Sequence, residues 1–509
     1  MPMKTRNDSN RSRAKQPQLT RREALSAPAV LLWAGQAHAS APDDPPWNAM
    51  GERVGEVTNT SAIVHTRLTE LPKRNDNGYA YPCWSHALSY DERDALGIPP
   101  GLQIRDLQGA CPGKAGRVRL HYGVESDLRG AQTTGWSAVG SETDFTHKFV
   151  LRGLQSGRRY YYSVEIAGLK GAVTRRGRIG TFATAPEADH WQPTRFFLIT
   201  CQDYNCRDHP LGGFRIYEAM ALLGGDFLLS NGDNVYYDID VPVAKTVDLA
   251  RHHWHRMYSQ PLIMDLLYRM PAYWQKDDHD SFEDDDWPER PPQRVKPMTY
   301  RQLAPVFAEQ VPVGERMYRA VRWGKGLELF LVENRDFRSP NPMPDGPDKT
   351  IWGKEQFEWL KKSILQSDAQ YRILVSPDAI VGPSFQDPEF RYPQGGGDCH
   401  ADAAFGHEGN AFRQWVKNNH LTNFFVINGD RHWQYHSVDP DTGIREFGCG
   451  AATDTHSQSP PTDPRYHKFL RPKGGFLSLT LDGTESRPEL TVRFHDVHGK
   501  VLKEFPITR

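Results

Sequence analysis

Two periods of hydrophobic alternation divide the chain. Between about residues 47 and 185 the period is two. Val54 to Leu68 alternates apolar and polar positions around a Thr/Asn/Ser turn. Arg117–Gly123 and Thr146–Leu151 alternate again, and Leu154–Val164 is a turn feeding an aromatic-rich strand. Short strands at this spacing predict an all-β sandwich over residues 45–188. Residues 70–115 interrupt the pattern with proline, glycine and charge, and read as a long inserted loop that holds Cys83 and Cys111.

Ala183–Pro193 has the composition of a linker, and beyond it the texture changes. Continuous apolar runs (Arg195–Thr200, Phe227–Ser230, Leu327–Val332, Tyr371–Val375, Asn423–Ile427) alternate with helical periods. The helical stretches are Phe214–Leu223, Ala244–Met270 with a break at Pro261, Lys354–Leu365 and Ala411–Asn418. Buried-type strands between amphipathic helices predict a layered α/β domain over residues 193–509, whose tail from about 475 returns to strands.

Composition adds exclusions. With 62 Lys+Arg against 63 Asp+Glu, the formal net charge is -1, so there is no basic footprint for nucleic acid. No run approaches the length of a membrane span. The balance conceals an asymmetry: residues 1–39 carry seven basic and two acidic side chains, +5, and the remainder is -6. Arg21-Arg22 is followed by a short apolar stretch and by Ala37-His38-Ala39, a small-x-small site. That order describes a signal peptide, and the twin arginine is similar to a Tat leader. The expected partner of this segment is the Tat export machinery, and the expected location is periplasmic or secreted.

The chemistry gathers at strand ends in the second half. Cys201-Gln202-Asp203, Gly232-Asp233-Asn234-Val235-Tyr236, Asp277-Asp278-His279-Asp280 and Gly429-Asp430-Arg431-His432 each follow an apolar run. In α/β sheets, ligands bind at carboxyl ends of strands. The donors on offer are carboxylates, imidazoles, a thiol and a phenol, which suit hard and transition metals. No nucleophile elbow, P-loop or dinucleotide fingerprint occurs. A multi-metal hydrolase fits this set.

These motifs resemble those of calcineurin-like metallophosphoesterases, and more closely the alkaline phosphatase D (PhoD-like) family. Thr200-Cys201-Gln202, Gly232–Tyr236, Asp277–Asp280 and Gly353–Leu360 match the family's patterns, and Val332–Arg338 resembles another. The resemblance implies a four-layer α/β catalytic domain, two sheets flanked by helices, behind an N-terminal immunoglobulin/fibronectin-like sandwich. It implies Fe(3+) held by Cys201, Asp233 and Tyr236, and Ca(2+) reached through Asp233, Asp278 and Asp430. His432 would bind metal or position a ligand. His279 would face the phosphoryl group, and Arg335 would contact a phosphate oxygen or form a structural ion pair. The implied activity is hydrolysis of small phosphate mono- or diesters by attack of a metal-activated water. The alternatives are a phospholipase D-like diesterase on the same site and a non-catalytic surface binding protein.

The sequence departs from the pattern in places. Glu333 stands where the family has Asp, and Ser281-Phe282 where an aromatic and a glycine are common. Glu283-Asp284-Asp285-Asp286 would bind a further calcium or form a solvated loop. Asp378 is a further candidate ligand. Segment 394–410 would rim the pocket or be an ordinary loop. For six cysteines, Cys83–Cys111 is the favoured bridge, and a Cys201–Cys206 bridge is the alternative that removes the thiolate ligand.

Overall fold

The computed structural model describes residues 44–81, 89–209, 212–383, 398–459 and 463–507. The proposed leader and Cys83 lie outside the described residues, as do residues 394–397 of the loop segment.

Two large sheets pack face to face. The first has nine strands and is centred on three parallel neighbours, Thr194–Ile199, Phe227–Asn231 and Ala272–Gln275. The second has seven strands, with Leu327–Leu331, Tyr371–Ser376 and Phe424–Asn428 parallel at its centre. The sequence explains the layering. In Thr194–Ile199, Phe196 and Leu198 enter the core shared with Leu329 and Ile373 of the second sheet, while Phe197 and Ile199 enter another core with the helices. Phe330 and Leu374 turn outward from the second sheet to a third core under Gly353–Gln366 and Gly406–Asn418. Strands buried on both faces read as unbroken apolar runs for this reason. The order helix, sheet, sheet, helix is the expected four-layer architecture.

Helix boundaries follow local chemistry. Ala244–Met270 resolves into Val247–Tyr258, capped by the Thr246 hydroxyl, and Pro261–Leu267, with the proline in the first turn where its missing N–H costs nothing. The pattern did not announce the helix Tyr300–Gln310, because Pro305 lies inside it.

The N-terminal β-structure divides between two sheets. Gly116–Gly123 and Arg159–Ala167 are central to a separate six-stranded sheet. Arg53–Gly55, Ser61–Arg67 and Thr146–Arg152 instead extend the nine-stranded sheet, where Gly55 pairs in parallel with Ala272. The sheet thereby continues past Ala272–Gln275 instead of ending there. No helix among the described residues is long and apolar enough to cross a membrane.

Candidate metal centre

The carboxyl ends of both central strand sets meet. Asn231 Nδ2 donates to Ser376 O at 2.8 Å, and Gln275 Nε2 donates to Val332 O at 2.7 Å and Val375 O at 3.0 Å. These cross-sheet bonds hold the loops that follow the strands in register.

Three of those loops turn sharply on a non-glycine residue. Cys201, Asp233 and Asp430 have φ of 53°, 52° and 63°. L-residues seldom adopt this region, and strain of this kind concentrates at functional sites. Two glycines make the turns sterically possible. A Cβ on Gly232 would lie 2.6 Å from Asp277 Cβ, and one on Gly429 would lie 2.5 Å from Asn231 O. The Gly-Asp dipeptide after each strand is thus a packing requirement as well as a chemical one.

The turned side chains converge. Cys201 Sγ donates to Asp233 Oδ2 at 3.3 Å, and the Tyr236 hydroxyl donates to the same oxygen at 3.1 Å. Tyr236 Oη lies 3.5 Å from His432 Nε2. One donor atom each from Cys201, Asp233 and His432 lies within 4.8 Å of the others, and the same holds for Asp233, Asp278 and His279. Asp233 belongs to both groups.

The electrostatics are those of a site built for cations. Burial, with Asp278 beside it, pushes the Asp233 carboxyl well above the usual carboxylate range. Burial and Asp233 push the Cys201 thiol and the Tyr236 phenol far up as well. Buried acids that raise one another in this way are relieved by a bound cation. Asp233 Oδ1 and His432 Nδ1 are buried without a hydrogen-bond partner. Burial, then His456 and His279, lowers the His432 pKa, which leaves the imidazole neutral and able to ligate. The donor set therefore fits metal.

His279 is 8% exposed. Burial opposes its charge, but Asp238 and Asp278 hold its pKa well above the ordinary value. Its Nδ1 lies 2.7 Å from Asp238 Oδ1, and Asp238 Oδ2 accepts from Arg294 Nη1 at 3.0 Å and Asp284 N at 3.1 Å. Asp238 escaped the sequence analysis, although it stands two residues beyond Tyr236. His456 escaped it too, in a loop without pattern. Its ring lies 4.0 Å from that of His432.

Other sequence candidates border the centre but lie outside its donor groups among the described residues. Arg335 is 0% exposed. Its Nε donates to Asp277 at 2.6 Å, and Nη2 donates to Asp378 at 3.0 Å and Asp398 at 3.2 Å. Of its two expected roles, the structure displays the ion pair. Asp378 gives its second oxygen to Arg338 at 3.3 Å, so both its oxygens serve arginines. Asp430 offers its carbonyl to the Cys201 thiol at 3.4 Å. Its carboxyl is pushed up by burial and by Asp398 and Asp378, and it joins no tight donor group among the described residues.

The acidic run is mixed. Glu283 is buried and accepts from Gln293 N and Arg294 N, whereas Asp284 and Asp285 group with Asp278. A uniformly solvated loop is excluded. Cys201 and Cys206 are buried and not joined by a disulfide, so the bridge that would have removed the thiolate ligand is absent. The Cys83–Cys111 pairing falls on Cys83, outside the described residues.

The model of the PhoD-like phosphatase family matches residues 196–468, and that of the PhoD-like phosphatase N-terminal domain matches residues 35–186. Among solved structures, PhoD superposes with a TM-score of 0.67 at 16% identity, covering 90% of this chain and 88% of the other. The purple acid phosphatase PPD1 from yellow lupin (Lupinus luteus) seeds gives 0.57 at 14% identity, covering 90% and 74%. Identities this low establish a shared fold. No curated protein matches the sequence. The catalytic-family match spans more than half of the chain, which therefore belongs to the PhoD-like phosphatase family.

Proposed function

We propose that the chain is an exported, metal-dependent phosphoesterase that hydrolyses small phosphate mono- or diesters. The observation that supports this most is Asp233, whose carboxylate belongs to two donor groups at once. Asp233 would help to hold a cation in either group. Cys201, Asp233 and Tyr236, with His432 beside them, suit Fe(3+), because a thiol and a phenol ligate only when a strongly polarising ion removes their protons. Asp278, grouped with Asp233, offers an oxygen donor that suits Ca(2+), and Asp430, buried but outside the tight donor groups, would supply another.

Metals held there would lower the pKa of a water and neutralise charge developing on phosphorus. The protein's own part is positional. Asp238 fixes the Nδ1 side of His279, which leaves Nε2, 3.7 Å from Asp284 Oδ1, as the edge that would face a phosphoryl oxygen. Arg335 holds Asp277, Asp378 and Asp398 in place behind the cluster. Residues 1–39 act as a Tat-type leader, residues 45–188 as the N-terminal domain and residues 193–509 as the catalytic domain.

The test is metal analysis joined to an ester panel. The expected result is bound iron and calcium, visible colour, and hydrolysis of p-nitrophenyl phosphate or bis(p-nitrophenyl) phosphate that is lost on chelation and in Asp233→Ala. Comparing kcat/KM on the two esters decides between monoester and diester. Full activity after chelation and in Asp233→Ala overturns the reading. A colourless, iron-free and active protein overturns the iron assignment alone.

A further inference from the structure

The loop after the strand Arg445–Cys449 crosses over both halves of the candidate metal centre. Ala451 pairs in parallel with Thr200, Ala452 N donates to Cys201 O at 3.3 Å, and Gln458 N donates to His432 O at 3.1 Å. The loop therefore bridges the Cys201 turn of the first sheet and the His432 turn of the second.

His456 sits at the middle of this strap. Its Nδ1 lies 3.2 Å from Cys201 O. A carbonyl only accepts, so Nδ1 carries the proton and donates. The acceptor belongs to the residue whose backbone is held at φ 53°. The same imidazole packs on His432, ring centroids 4.0 Å apart with planes at 44°, and meets the Tyr236 ring at 5.3 Å and 74°. One side chain thus touches three residues of the donor cluster without being a member of any donor group among the described residues.

The strap is itself anchored. Asp454 Oδ1 accepts from Gly474 N at 3.1 Å, and Thr455 Oγ1 donates to Cys206 O at 3.1 Å. His456 therefore projects from a fixed turn.

We propose that His456 is a positioning residue of the metal centre. Its Nδ1–H holds the strained Cys201 turn and its ring braces His432, so that Sγ and the imidazole converge on Asp233. This rests on the metal reading given above. Groups that orient metal ligands in this way are worth roughly 10–100-fold in metal affinity.

The experiment compares the full chain with His456→Ala, His456→Asn and His456→Phe. Metal-free protein is titrated with Co(II) through the thiolate-to-cobalt absorption, the visible band of iron-loaded protein is recorded, and thermal midpoints are measured in parallel. His456→Ala is expected to weaken Co(II) binding roughly 10–100-fold and to shift the iron band. Asn places an N–H near the position of Nδ1 and is expected to recover most of the affinity. Phe keeps a ring against His432 without the donor and is expected to recover less. Wild-type affinity in all three variants overturns the proposal, as does an equal loss in all three that follows the thermal midpoint. A wild-type chain that takes up neither cobalt nor iron overturns the metal reading first, and the role of His456 with it.

Discussion

Cys201 and Asp233 meet across the ends of neighbouring parallel strands, with Sγ 3.3 Å from Oδ2 and both residues in left-handed backbone. Two turns strained in the same sense bring a soft donor and a hard donor to one point. The strain and the mutual repulsion of the surrounding acids are costs that a bound cation offsets.

It follows that Asp233→Asn separates function from stability. Activity should fall at least about a thousandfold, because several kcal/mol of charge stabilisation is lost at 1.4 kcal/mol per tenfold. The metal-free variant should melt no lower than the metal-free wild type, and about 1–2 kcal/mol of added stability is expected from removing a buried carboxylate beside Asp278. Calorimetry of both proteins after chelation, with activity measured after reloading, checks this.

Gly232→Ala should damage fold and activity together. The position has φ 82°, and the added Cβ would lie 2.6 Å from Asp277 Cβ, a backbone-anchored atom. A cost of about 1–3 kcal/mol is expected from strain and overpacking. Asp277 is the partner of Arg335, so the displacement carries into the ion-pair network. Denaturant midpoints and kcat are the readouts, and wild-type values for both would contradict the steric account.

Arg335→Ala should cost about 3–5 kcal/mol, because it strands the buried Asp277 carboxyl and leaves Asp378 and Asp398 with Arg338 alone. The loss should appear in metal-free protein as fully as in loaded protein. A variant that keeps its denaturation midpoint but fails only in catalysis would show instead that Arg335 acts on substrate.

Stability should also decline as pH falls from about 6.5 to about 4. Burial and Arg67 lower the His255 pKa to about 4 from an ordinary 6.5, so the unfolded chain binds the proton first. Protonation in that window therefore favours unfolding, and the native stabilisation is complete only above 6.5. The neighbouring Asp144 accepts from Arg67 and lies 2.6 Å from His255; burial opposes its charge, but His255 and Arg67 hold it below the usual carboxylate range, which moves its own contribution to more acid pH. A thermal midpoint that is flat between pH 7 and 4.5, or that falls equally in His255→Gln, would contradict this assignment.

The layers were legible because their signals are local. Strands buried on both faces must be apolar throughout, as Phe196–Ile199 is, and helices with one buried face must repeat at 3.6, as Gly353–Gln366 does. The donors were legible because strand ends carry them in short motifs. Pro305 hid a helix, since a breaker outweighs the periodicity around it. His456 and Asp238 were hidden for another reason: their roles are contacts with residues distant in sequence or in motif, and one sequence records no partner for either.

The sequence by itself determined the fold class, the family and the identities of most donor groups. Backbone periodicity and residue chemistry depend only on near neighbours, so they can be recognised along the chain. Only the tertiary structure decided which donors share a point. It put Asp233 in two groups, tied Arg335 to carboxylates and let N-terminal strands complete the catalytic sheet. Distances across two sheets depend on how both pack, and no spacing along the chain encodes that.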